Sequence, residues 1–151
     1  MSYVTRVLQP GEQLLHQSKL HWFIYLPGFL FLLIAVAGLA LSNSNQPPVV
    51  WEGLVAIGVV CALLAWLKAW MRRAGTELAV TDRRVIYKQG LIRRHTVEMN
   101  MDKVESVDVD QSVLGRIFNY GDVTIRGTGA SLEPLRMIED PLTFRSHVTA
   151  R

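Results

Sequence analysis

A single cysteine, Cys61, is the whole thiol content of the 151-residue chain. One thiol excludes a disulfide framework and a cysteine-based metal site within one subunit. The short words that carry catalysis are missing as well. There is no Gly-x-Ser-x-Gly elbow, no Gly-x-x-x-x-Gly-Lys loop and no His-Glu-x-x-His helix, the arrangements that present a nucleophile, cradle a phosphate or hold zinc. "GTGAS", residues 127–131, lacks the third glycine of a nucleotide loop and reads as a turn. The four histidines, His16, His21, His95 and His147, fall in different predicted elements. The acidic set Asp102, Glu105, Asp108 and Asp110 alternates along a strand and has no calcium-type glycine turn, so it reads as a solvated face rather than a metal site. The expectation is a non-enzyme with no cofactor and no metal.

Charge of either sign is missing from one long stretch. "WFIYLPGFLFLLIAVAGLAL", residues 22–41, has no charged residue over about the 20 positions a helix needs to cross a ~30 Å hydrocarbon core. A second stretch, residues 49–70, carries only Glu52 near one end and Lys68 near the other, where both reach the headgroups by snorkelling. The two read as transmembrane helices. A signal peptide ending at "AVA", residues 35–37, fits less well, because the apolar run starts too late and continues too long. A buried core hairpin is also disfavoured, since about 80 remaining residues cannot wrap two helices apolar on every side.

Lys and Arg are absent from the polar link, residues 42–48, so the helices form a tight hairpin. Arg6 and Lys19 precede the first helix, and Lys68, Arg72 and Arg73 follow the second. The positive-inside bias therefore predicts that both termini are cytoplasmic. Trp22, Tyr25, Trp51, Trp66 and Trp70 fall near the helix ends, as interfacial aromatics do.

Beyond Met71 the pattern changes to alternation, which predicts strands. Strands are expected over residues 76–80, 84–88, 91–101, 104–112, 122–126 and 132–138. Gln89-Gly90 is read as a two-residue hairpin turn. Val97, Met99 and Met101 share one face, as do Val107 and Val109. Leu114, Ile117 and Phe118 have helical spacing, and Gly121 is expected to permit the following reversal. Asp140-Pro141 reads as N-cap and first position of a C-terminal helix with Phe144 and Val148 on its apolar face.

Three stretches carry a resemblance. "LAVTDRRVIYKQGLIRR", "MDKVESVDVDQSVLGRIFNYGDVTIRGTG" and "MIEDP" resemble the small bacterial pleckstrin-homology-like (PH-like) domains of membrane-flanked proteins. "LQPGEQLLHQSKLHW", residues 8–22, is similar to the lead-in such proteins place before a pair of transmembrane helices. The resemblance implies a partly closed sheet with a helix plugging one end, and no activity. The fold class is thus a membrane α-helical hairpin plus a mainly-β PH-like domain with a C-terminal helix. The expected division is a cytoplasmic lead-in (1–21), a hairpin (22–70, with helices at 22–41 and 49–70) and a cytoplasmic domain (71–151).

Eukaryotic PH domains bind inositol phosphates through a basic cluster at the first hairpin, so Arg83, Arg84, Arg93 and Arg94 are weak anionic-ligand candidates. From residue 72 onward 13 Lys and Arg face 11 Asp and Glu, which gives no broad field for nucleic acid or another polyanion. The two-residue turn would set Arg84 opposite His95 and Val85 opposite Arg94. Both arginine pairs would then gather at the end of the sheet far from the bilayer, facing solvent or protein. Lys68, Arg72 and Arg73 sit at the membrane exit, and attraction to anionic lipid of about 1 kcal/mol each suits anchoring. In "GRIFNYG" the side chains of Ile117, Phe118 and Tyr120 crowd a short turn. They either staple the domain's own core or contact a partner subunit or the bilayer.

The expected function is a non-catalytic interaction module at the cytoplasmic face of a bacterial inner membrane, contacting another membrane-associated protein or copies of itself. Homo-oligomerisation follows from the resemblance, because soluble relatives of this domain class are similar to units that build rings. A lipid-headgroup or membrane-surface sensor is the alternative.

Overall fold

The computed structural model describes residues 3–40, 48–128, 130–131 and 134–150. The expected turn at 42–48 lies, through residue 47, outside the described residues, as do residues 132–133 at the start of the last expected strand. The chain divides into two compact units. One is residues 22–71, and the other joins residues 1–21 to residues 72–151.

The helical unit contains a 3-10 turn, Trp22–Tyr25, continued by α2, Leu26–Ala40, and most of α3, Pro48–Gly75. Both helices are long and apolar enough to cross a membrane. Most of their large side chains, including Leu33, Ile34, Ile57 and Leu64, are exposed. Close approach between the helices depends on small residues: a Cβ on Gly58 would lie 2.7 Å from that of Ala35, and one on Gly28 would fall within the Trp66 indole. Phe29 meets Trp66 edge-on at 5.2 Å. α3 continues past the expected end at Trp70, because nothing in Met71, Arg72, Arg73 and Ala74 breaks a helix before Gly75.

The other unit is mainly β. After α1, Tyr3–Val7, come β1, Leu14–Ser18, and, beyond the helical unit, β2, Glu77–Thr81, β3, Arg84–Gln89, and β4, His95–Asn100. These strands form one antiparallel sheet in that order, with β4 at an edge. A second sheet contains β5, Val104–Asp110, β6, Tyr120–Gly127, β7, Ala130–Ser131, and β8, Leu135–Glu139, with β6 pairing all three others. Between β5 and β6 lies α4, Val113–Ile117, and α5, Pro141–Thr149, ends the described chain. Alternation puts Leu78, Val80, Val85, Met99, Val107, Val123 and Ile125 into one core. α5 packs against strands of both sheets and buries Phe144 and Val148 among them, as a plugging helix does.

Four local readings are corrected. The lead-in supplies a strand of the sheet: β1 pairs with β2, and Leu20 bridges to Ile138 of β8. α1 lies against β2 with Val4 buried, and the Glu77 carboxylate accepts from the Tyr3 N–H at 3.0 Å. The β3–β4 turn is longer than two residues. Gln89 pairs with His95, so residues 90–94 form the loop, and Arg84 lies opposite Asn100 rather than His95. The physical reason is face matching: this register sets Val85 opposite Met99 and Tyr87 opposite Val97, whereas the shorter turn would have put core Val85 against Arg94. The left-handed residue of the reversal after α4 is Asn119, at φ 56°, not Gly121. Asp140 does precede α5, but in a left-handed conformation with no side-chain cap; its carbonyl accepts from the Phe144 N–H at 3.1 Å.

Candidate functional site

The lead-in's Pro10-Gly11-Glu12 turn places Glu12 beside the β2–β3 hairpin. Arg84 Nε and Nη2 donate to the two Glu12 oxygens at 2.9 and 2.8 Å. Its Nη1 donates to Glu98 at 2.7 Å, and Nη2 also reaches the Val7 carbonyl at 3.0 Å. The Thr81 hydroxyl lies 2.8 Å from Glu12, and the Gln9 N–H donates to Glu12 at 2.8 Å. The Glu12 side chain is fully buried and that of Arg84 nearly so. Hydrogen bonds from Arg84 hold the Glu12 carboxyl down to about 2 against the upward push of burial, with help from Gln9 and Thr81. The same bonds raise the Arg84 guanidinium. All three Arg84 guanidinium nitrogens therefore have protein acceptors. Its role is to clasp the lead-in to the sheet.

Arg83 is half exposed with Asp82 at 3.9 Å. It shares a shallow depression with Asp82, Asp102 and Asn100, where carboxylates offset its charge. Arg93 and Arg94 are exposed in the loop at the other end of β3. The five steps of β3 from Arg84 to Gln89, at ~3.3 Å each, separate the two pairs by roughly 17 Å. The expected gathering of both pairs at one end is thus corrected, and its cause is the turn length.

α4 is capped by Ser112, whose Oγ accepts from the Gly115 N–H at 3.0 Å. The helical spacing read for Leu114, Ile117 and Phe118 is present, but that face points outward. Val113, Leu114 and Ile117 are exposed, Phe118 is 40% exposed, and only Gly115 of α4 is buried. Tyr120 is set apart, half-buried and stacked on His21 at 5.2 Å. His21 is buried in the domain, donating its backbone N–H to the Met137 carbonyl at 2.8 Å. Burial lowers its pKa first, with a smaller push from Arg73 and an opposing one from Glu139. His16 and His147, far apart in sequence, stack at 4.7 Å. Burial and then repulsion by His147 lower the His16 pKa.

Lys68 and Arg72 are exposed on the last turns of α3, and Arg73 is half-buried. Beside edge strand β4 lies a cleft of about 1050 Å³, lined by apolar Leu20, Val97, Met99 and Leu135 and by basic Arg72, Lys103 and Arg136. No sequence motif announces it, because its walls come from separate segments.

Residues 23–151 match the sequence pattern of the family described as Bacterial PH domain. No curated protein and no solved structure is matched by the chain. The family match takes in both apolar helices and every strand from β2 onward, leaving β1 and Glu12 outside it. Extending over most of the chain, the match shows that this protein belongs to the bacterial PH domain family.

Proposed function

We propose that the protein is a non-catalytic, membrane-anchored interaction module of a bacterial inner membrane. In this reading α2 and α3 cross the bilayer as a hairpin with both termini cytoplasmic. The PH-like domain then presents α4 to a protein partner, in the first instance another copy of the chain. The observation that carries the reading is the outward-facing apolar surface of α2 and α3. Exposed Leu, Ile and Val along helices of spanning length are disfavoured in water and matched to lipid. The distribution of basic residues supports the orientation.

Self-association is supported by two further features. β4 lies at an edge of its sheet, a position that can offer backbone groups to a partner strand, and α4 together with its C-cap residue Phe118 exposes four apolar side chains. Anchoring in one plane raises the effective concentration of neighbouring domains, so a weak contact suffices. Mass determination of the intact complex after gentle detergent extraction tests this reading. Homo-oligomers are the expected result. A monomer at every protein concentration would refute self-association, and a complex with a different protein would reassign the partner.

A further inference from the structure

We propose that the β3–β4 loop, residues 90–94, inserts into the anionic surface of the bilayer that the protein's own helices cross. Leu91 and Ile92 enter the acyl boundary, while Arg93 and Arg94 bind phosphate-bearing headgroups. The inference rests on the membrane-anchored reading above and adds a second point of attachment for the domain.

Ile92 is 91% exposed, the most exposed large apolar side chain among the described residues, and Leu91 beside it is also exposed. Two apolar residues followed at once by two arginines match the depth profile of a membrane interface, apolar below and cationic at the headgroups. Residues 83–97 contain no Asp or Glu, so no carboxylate of β3 or of the loop competes for these guanidiniums. Arg83, by contrast, has Asp82 beside it.

The loop's position is set by contact with the end of α3. A Cβ on Gly75 would lie 2.8 Å from the Leu91 nitrogen and 2.9 Å from the Gly90 carbonyl carbon. The loop backbone is therefore pressed against the last residue of the helix. Gly75 is only ~4.5 Å of helical rise beyond Arg72, so chain continuity puts the loop at the level where α3 leaves the bilayer. The loop is also closed tightly. Gly90 adopts φ 94°, and a side chain there would collide with the Arg93 carbonyl. In this closed loop Leu91 and Ile92 are exposed. Four arginines, Arg72, Arg73, Arg93 and Arg94, lie on the two segments that meet at Gly75, a charge distribution complementary to anionic lipid.

The test uses full-length protein carrying Cys61→Ala, reconstituted into phosphatidylcholine bilayers with and without phosphatidylglycerol. An environment-sensitive fluorophore is attached at Ile92→Cys, at Asp82→Cys or at Ile57→Cys, and spin-labelled lipids serve as quenchers. The label at 57, on α3, reports anchoring. The expected result is a blue-shifted, lipid-quenched signal at 92 in phosphatidylglycerol bilayers and a water-like signal at 82. Arg93→Gln and Arg94→Gln should each reduce the inserted-to-free ratio about fivefold. Quenching at 57 with a water-like signal at 92 would overturn the inserted loop while leaving the anchor intact. No quenching at 57 would overturn the anchor, and the loop proposal with it. Equal quenching at 92 in both bilayers would overturn the role assigned to the arginines.

Discussion

Replacing Glu12 by Gln keeps the side chain's shape but leaves the Arg84 guanidinium nearly buried beside a neutral amide. Glu12 accepts two hydrogen bonds from Arg84 and one from the Gln9 N–H, and these hold its pKa at about 2 instead of 4.5. At 1.36 kcal/mol per pH unit that shift corresponds to about 3 kcal/mol of folding stability. Breaking one side of a buried ion pair costs ~3–5 kcal/mol, so the two routes agree. For a domain of this size the loss lowers the unfolding midpoint of the β unit by roughly 10–20 °C. Circular dichroism of detergent-solubilised full-length protein reads the midpoint, and hydrogen exchange of the β1 and α1 amides reads local release of the lead-in. Adding Arg84→Met should recover part of the loss, because neither buried charge is then unpaired. An unchanged midpoint and unchanged β1 protection in Glu12→Gln would refute the clasp.

Acid separates two groups of titrations. The lowered pKa values of His16 and His21 mean that the unfolded chain binds more protons, so stability is full above 6.5 and declines as pH falls through it; His16→Phe should flatten that decline in a pH series of melts. The Glu12 contribution is present above 4.5 and is lost only as pH falls toward about 2, so Glu12→Gln should leave the slope near neutrality unchanged. Phe118→Asp should weaken self-association by about 2 kcal/mol, roughly thirtyfold in dissociation constant, with the melting midpoint unchanged because the ring is partly exposed. Sedimentation of both forms in the same detergent checks it, and a variant that unfolds would return Phe118 to the core.

The helices were legible because a charge-free run of spanning length has few other readings, and β5 and β6 were legible because their apolar residues alternate. β1 was not. "LLHQS" alternates poorly, and its partner β2 lies beyond the whole helical unit. The Glu12–Arg84 clasp joins residues 72 positions apart, and nothing local to either side chain names the other. Spacing identified the shared face of Leu114, Ile117 and Phe118 but not its direction, since periodicity is blind to what lies opposite. The β3–β4 register went astray because Gln89-Gly90 suffices for a turn in isolation. Matching Val85 and Tyr87 to Met99 and Val97 required the longer loop, and with it moved Arg93 and Arg94 to the end of the sheet beside Gly75.

Cysteine accessibility in intact cells tests whether a PH-like domain is held at the cytoplasmic face by a transmembrane hairpin. Single cysteines at Ser44→Cys and Arg151→Cys, each in a Cys61→Ala background, are treated with a membrane-impermeant maleimide before and after the inner membrane is permeabilised. A hairpin with both termini cytoplasmic gives labelling at 44 in cells with only the outer membrane opened, and labelling at 151 only after the inner membrane is breached. Labelling at 151 with the inner membrane intact, or protection of both sites until it is breached, would contradict it.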